Sequence, residues 1–200
     1  LVLLACKPQH VTQALADIVW PSRPVVLVSM LAGTKVETLC GLVPPSTRVS
    51  RVMPNVAALV GAGVTGVLQT GDPELDAWTT ALFETCGQVV PLLQESHFDA
   101  LTAVSGSGPA YVFVMMEALA DGGVRMGLPR DVALSLAVHT VRGAGELAAQ
   151  GGEHPAVLKD RVASPGGTTI EGLAALEAAG FRSALIAAVT AACERSRQLG

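Results

Sequence analysis

The pattern of this chain changes character near residue 95, and that change limits the folds open to it more than its composition does. Upstream, short apolar runs alternate with short amphipathic stretches. Residues 1–6, 24–30, 48–53, 63–69 and 88–92 have the length and side chains of strands, while 9–19, 34–40 and a segment from 73 to about 86 read as helices. Asp72-Pro73-Glu74 supplies a cap and an N-terminal proline for the third of these helices. Strands alternating with helices predict an α/β layer built on a largely parallel sheet. Downstream, 100–104, 109–126, 130–150, 155–162, 168–179 and 181–198 are helical, punctuated by Gly106, Gly108, Gly127 and Gly151-Gly152. The expected organisation is an α/β domain over 1–95 and an all-helical domain over 96–200. The chain opens directly on an apolar run, Leu1 to Cys6, that reads as a buried strand with no polar lead-in. A further segment upstream is therefore expected.

Composition removes several classes of function. Half of the 200 residues are hydrophobic and 15% are charged, which is the balance of a folded core rather than a disordered segment. The net charge of −4, the absence of a basic run and an aromatic content of 4% argue against nucleic-acid binding. The apolar stretches 110–116 and 184–189 are too short to cross a bilayer, and 132–141 is interrupted by Ser135 and His139. Cys6, Cys40, Cys86 and Cys193 form no C-x-x-C pair and read as small packed hydrophobes, so no metal site is expected. His10, His97, His139 and His154 are scattered. No G-x-S-x-G is present, and no covalent nucleophile stands out.

Four segments bear on ligand binding, three of them containing glycine. Gly61-Ala62-Gly63-Val64-Thr65-Gly66 satisfies G-x-G-x-x-G, but Val67 to Thr70 follows it and leaves no room for the helix a dinucleotide fingerprint needs. The ends of the first two strands, Ala5-Cys6-Lys7-Pro8 and Ser29 to Thr34, lie where an open α/β sheet binds ligands. There Lys7 is either a phosphate contact or a solvated turn residue. Ser164-Pro165-Gly166-Gly167-Thr168-Thr169 ends one helix and opens another, with Thr168 and Glu171 in capping-box spacing. Backbone N–H groups at such a helix start suit a carboxylate or phosphate, although an ordinary interhelical turn has the same composition. Ala187, Ala188, Ala191 and Ala192 give the last helix a smooth face for a core or a subunit contact.

In combination these segments resemble a known family. The ordered series runs Ala5-Cys6-Lys7-Pro8, Arg51-Val52-Met53-Pro54-Asn55, Ser105-Gly106-Ser107-Gly108-Pro109-Ala110-Tyr111, Asp121-Gly122-Gly123-Val124-Arg125-Met126-Gly127, Ser164 to Thr169 and Gly180-Phe181-Arg182-Ser183. It resembles Δ1-pyrroline-5-carboxylate reductase along essentially the whole chain, most strongly from Ala100 on. The resemblance implies a Rossmann-type dinucleotide-binding domain, N-terminally incomplete here, followed by a helical dimerisation and substrate-binding domain. It implies NADPH or NADH as cofactor and hydride transfer to the C=N bond of 1-pyrroline-5-carboxylate, giving L-proline. It further implies a homodimer, a possible decamer, a cytoplasmic location, and neither nucleic acid nor membrane as partner. By position, Ala5, Lys7, Pro8, Met30, Leu31, Ala32, Asn55 and Arg161 would face the cofactor. Thr102, Ser164, Gly166, Gly167, Thr168 and Thr169 would bind the substrate, with Thr169 hydrogen-bonding the imine nitrogen as the catalytic candidate.

The chain also departs from that pattern. The family's first strand and glycine-rich phosphate loop are not in this sequence. Val56-Ala57 stands where the family usually has Thr-Pro, and Arg161 where some relatives have asparagine. Two alternatives stay open at this level. One is a related imine or 2-hydroxy-acid reductase, which should lack the Ser164–Thr169 loop; the other is a cofactor-deficient subunit that keeps the dimer interface.

Overall fold

The computed structural model describes residues 1–199. Five strands, β1 (Val2–Leu4), β2 (Val25–Ser29), β3 (Thr47–Pro54), β4 (Gly63–Leu68) and β5 (Gly87–Leu92), form one sheet in the order of the chain. β1, β2 and β3 run parallel, with Val2 opposite Leu27 and Leu27 opposite Val49, and β4 and β5 are also parallel. The β3–β4 pair is antiparallel, with Val52 opposite Val67. The reason is the short connection 55–62: a parallel crossover needs about a dozen residues or more. That segment forms only a 3-10 turn, Val56–Val60, ended by Gly61 at φ 71°. Gly63 and Gly66 then lie within β4. The G-x-G-x-x-G string is thus a turn and a strand.

Helices α1 (Val11–Ala16), α2 (Val36–Cys40) and α3 (Pro73–Glu84) make the crossovers. β2 is buried on both faces, as parallel strands are, and its side chains alternate between two cores. Leu27 joins Leu4, Leu15, Leu39 and Val49 on one face. Val28 joins Val52, Val67, Phe83 and Val89 on the other. The Asp72 carboxylate caps α3 by accepting from the Glu74 and Leu75 N–H groups at 3.1 and 3.2 Å. The expectation of a wholly buried first strand is corrected: Leu1 and Leu3 are exposed, because β1 pairs with β2 alone. Cys40 is likewise exposed rather than packed.

β5 leads into α4 (His97–Leu101), which widens into a single π turn, Thr102–Gly106, closed by the Ser107 N–H donating to the Thr102 carbonyl at 2.8 Å. The sequence pattern starts this helix at residue 100, whereas the chain turns helical at His97, after a link of four residues. The remaining helices are α5 (Gly108–Arg125), α6 (Arg130–Gly151), α7 (Pro155–Arg161), α8 (Thr168–Ala178) and α9 (Phe181–Leu199).

Compactness divides the chain into two units. The first comprises residues 1–109 together with the end of α9 from Ala188 on, and the second comprises 110–187. Within the second unit the buried core is three alanines, Ala120, Ala133 and Ala137, packed with Val124. Small residues let α5 and α6 approach closely; a Cβ on Gly123 would lie 3.1 Å from that of Ala133. Larger apolar side chains of the same helices, including Phe113, Val114, Leu134 and Leu136, stand exposed, as does Ile186 on α9. Among the described residues no single helix is long and apolar enough to cross a membrane.

Candidate functional site

The α/β unit presents its strand ends as small residues and bare backbone. Ala5 and Lys7 follow β1 and are exposed, and Lys7 precedes a 3-10 turn, Pro8–His10. The Met30 N–H extends the β1–β2 ladder by donating to the Leu4 carbonyl at 3.0 Å, which sets the two strand ends side by side. Leu31 turns inward at 2% exposure, Ala32 faces out, and Gly33 takes a left-handed φ of 72° that returns the chain toward α2. The structure therefore brings Ala5, Lys7, Pro8, Met30 and Ala32 to one end of the sheet. Leu31 belongs to the core beneath them.

Asn55 serves as a structural junction. Its Oδ1 accepts the Val64 N–H at 3.0 Å and its Nδ2 donates to the Ser105 carbonyl at 3.2 Å. The side chain ties β4 to the π turn that begins at Thr102, which is half-buried in the same unit. A second junction was not foreseen from the sequence. Glu95 Oε1 accepts both the Val36 N–H, at 2.8 Å, and Arg51 Nη1, at 2.7 Å. Arg51 is 6% exposed, and its guanidinium lies 4.4 Å from the centroid of the Phe98 ring. Gly33, Lys35, Arg51, Glu95, Ser96, Phe98, Asp99 and Arg197 line an open pocket of ≈ 440 Å³.

The helical unit carries the Ser164–Thr169 loop. The Gly167 N–H donates to the Ser164 carbonyl at 3.1 Å, and Gly166 has φ 64°, so the segment is a tight turn that needs a glycine in its left-handed position. Gly167, with φ −83° and ψ 173°, is the N-cap of α8, and no side chain caps the helix. This corrects the capping-box reading. Thr168 is already the first helical residue, one position too late to cap, because the turn through Gly166 brings the extended position to Gly167. A cap without a side chain leaves the first-turn N–H groups open to an outside acceptor. Ser164 is exposed and Thr169 half-buried. Arg161, at the end of α7, is engaged with Glu153 through both guanidinium arms, the Nη2–Oε1 distance being 2.6 Å.

The α/β unit thus presents strand ends that include the small residues Ala5 and Ala32, and the helical unit presents an uncapped helix start and exposed apolar side chains. The family description "Pyrroline-5-carboxylate reductase dimerisation" matches residues 95–199. A pyrroline-5-carboxylate reductase of Synechocystis sp. is 48% identical over 201 residues, covering 100% of this chain and 74% of the relative. That of Arabidopsis thaliana is 47% identical, covering 99% and 72%. Among solved structures, a pyrroline-5-carboxylate reductase from Coxiella burnetii superposes with a TM-score of 0.93 at 30% identity, covering 100% of this chain and 75% of that one. The Plasmodium falciparum pyrroline carboxylate reductase with NADP bound gives a TM-score of 0.85 at 33% identity, covering 99% and 80%. The chain belongs to the pyrroline-5-carboxylate reductase family.

Proposed function

We propose that this protein reduces 1-pyrroline-5-carboxylate to L-proline with NADPH or NADH, and that the uncapped start of α8 holds the substrate carboxylate. The observation that carries this reading is the Gly166-Gly167 turn. It leaves the N–H groups of the first turn of α8 without a side-chain cap, with Ser164 and Thr169 flanking it in the chain. A helix N-terminus of this kind favours an anion both by hydrogen bonding and by its dipole. Each charge-assisted hydrogen bond is worth about 1.5–3 kcal/mol.

The cofactor is assigned to the strand ends of the α/β unit. Ala5 and Ala32 have no side chain beyond Cβ to obstruct a flat ring, and Lys7 is exposed and enters no ion pair among the described residues. With Pro8 and Met30 they would hold the nicotinamide end, and Leu31 supports them from below. When bound, the reduced nicotinamide supplies the hydride; the protein orients it and excludes competing reactions. Arg161 is already spanned by Glu153, so the cofactor contact expected there needs that fork to open. Asn55 acts by bracing β4 and the Thr102 turn.

Reduction of a C=N bond needs a hydride at carbon and a proton at nitrogen. The Thr169 hydroxyl is proposed to hydrogen-bond the substrate nitrogen, and Thr102 to stand near the ring. A protonated imine is already electrophilic, so no strong general base is required. The subunits are proposed to pair through α5, α6 and α9, with a decamer as the higher assembly and the cytoplasm as location. The exposed apolar residues of α5 and α6 support the pairing.

The test is oxidation of NADPH on addition of 1-pyrroline-5-carboxylate to protein expressed from its complete reading frame. Proline formation, reduced about tenfold or more in kcat/KM by Thr169→Ala, is the expected result, one charge-assisted hydrogen bond being the quantity removed. No oxidation by folded protein would refute the reading.

A further inference from the structure

Arg51 is an expensive residue in an unexpected place. It sits in the middle of β3, almost fully buried, with one hydrogen bond to Glu95 and its Nε without a partner among the described residues. A sheet that needed only packing would be better served by an apolar side chain there, because a buried pair seldom repays its desolvation. The contacts indicate what the pair does. Glu95 belongs to the segment joining β5 to α4, and its single oxygen Oε1 holds both Arg51 and the Val36 N–H. Val36 opens α2 and so fixes the far end of the loop that carries Met30, Leu31 and Ala32. Phe98, against which the guanidinium lies, is on α4, one turn before Thr102.

We propose that Arg51, Glu95 and Phe98 form a positioning clamp that fixes the 30–36 loop relative to the Thr102 turn. This rests on the assignment above of Met30 and Ala32 to the cofactor and Thr102 to the substrate. Both groups hang from the clamp within a few residues: the loop through Val36 and the turn through α4. The clamp makes no contact with either ligand; it acts by setting the distance and angle at which cofactor and substrate meet. A misplacement of ~1 Å at such a contact costs up to about 100-fold in rate. Arg51 supplies the rigid planar fork that reaches Glu95 and lies over the Phe98 ring at once.

The experiment compares Glu95→Gln with Val89→Ala, a substitution of a β5 side chain in the sheet's buried cluster that loosens the same sheet without touching the clamp. Phe98→Leu removes the ring alone, and Arg51→Lys keeps the charge without the planar fork. Thermal stability is measured for each, with kcat and KM for both substrates at a temperature where all are folded. In Glu95→Gln, kcat is expected to fall about tenfold or more, while KM for the pyrroline stays within about twofold of wild type, since the carboxylate loop is elsewhere. Phe98→Leu is expected to lose kcat in the same sense, and Arg51→Lys to retain an intermediate value. Val89→Ala should lose stability with kcat unchanged. If Glu95→Gln behaves like Val89→Ala, the clamp is only structural and the proposal is overturned. A fifth variant, Ala32→Asp, separates the premise: if it leaves cofactor KM unchanged, the loop is not at the cofactor and the proposal falls with that assignment. If it raises cofactor KM while Glu95→Gln keeps full kcat, the clamp alone is refuted.

Discussion

Replacing Gly167 by alanine builds a Cβ 2.3 Å from the Ser164 Oγ and 3.2 Å from the Ser164 carbonyl oxygen. The backbone itself accepts alanine, since φ is −83°. What must move is the hydroxyl, by roughly 1 Å to reach ordinary contact, and that takes it out of the 2.5–3.0 Å range of an O–H hydrogen bond. Ser164 is exposed and its hydroxyl makes no bond to the described residues, so rotation costs little and the fold is preserved. If Ser164 binds the substrate carboxylate, Gly167→Ala and Ser164→Ala remove the same charge-assisted bond. About 1.5–3 kcal/mol converts to a rise in substrate KM of roughly 10- to 150-fold. The double variant should be no worse than the more severe single one, a coupling that a double-mutant cycle measures directly. Steady-state kinetics with varied pyrroline-5-carboxylate, alongside thermal denaturation, decides the matter. Additive effects, or a normal KM in Gly167→Ala with an elevated one in Ser164→Ala, would refute the reasoning.

Further outcomes follow from other parts of the structure. Gly87→Ala forces a Cβ to 2.0 Å from the Gly63 carbonyl oxygen across the β4–β5 pair at φ 147°, and no side chain is there to yield; calorimetry should show loss of the cooperative transition or a large fall in Tm. The Asp72 carboxyl is held below its ordinary pKa of 3.8 first by the Leu75 N–H and then by Arg48. Its stabilisation of α3 is therefore complete above that ordinary value and lost as pH falls through the depressed one. The Tm difference between wild type and Asp72→Ala should be constant near neutrality and narrow in strong acid. On the helical unit, Phe113→Glu or Leu134→Asp places a charge in the groove of ≈ 690 Å³ that these residues line with Val114, Ala120 and Val138; sedimentation should show monomers, and activity should fall with dimer content.

The elements were legible to within one or two residues wherever a strong local signal existed. β2 is the apolar run Val25-Val26-Leu27-Val28 that follows Pro24, and α3 begins where Asp72-Pro73 says it should. The order of elements, strands alternating with helices and then helices alone, held from sequence to structure together with the family resemblance. The compact units, 1–109 with the end of α9 and 110–187, do not follow a boundary at residue 95. What the sequence hid is what depends on distant partners. Arg51 and Glu95 are 44 positions apart, and nothing local marks either as half of a buried pair. Asn55 stood in a recognisable motif, yet its two bonds, to Val64 and Ser105, exist only once β4 and the π turn meet. The antiparallel β3–β4 pairing followed from the length of 55–62, a signal present in the sequence but outweighed by the alternation around it. Thr168 failed as a cap because the dihedrals of two consecutive glycines moved the helix start by one residue, and composition does not report dihedrals.

The most direct measurement supplies NADPH deuterated at the transferring position of nicotinamide C4, together with 1-pyrroline-5-carboxylate, and locates the label in the product by NMR. The account predicts one deuterium per proline, on the ring carbon that was double-bonded to nitrogen, on one face only. Oxidation of the cofactor without label at that carbon, or no proline at all from folded protein, would contradict it.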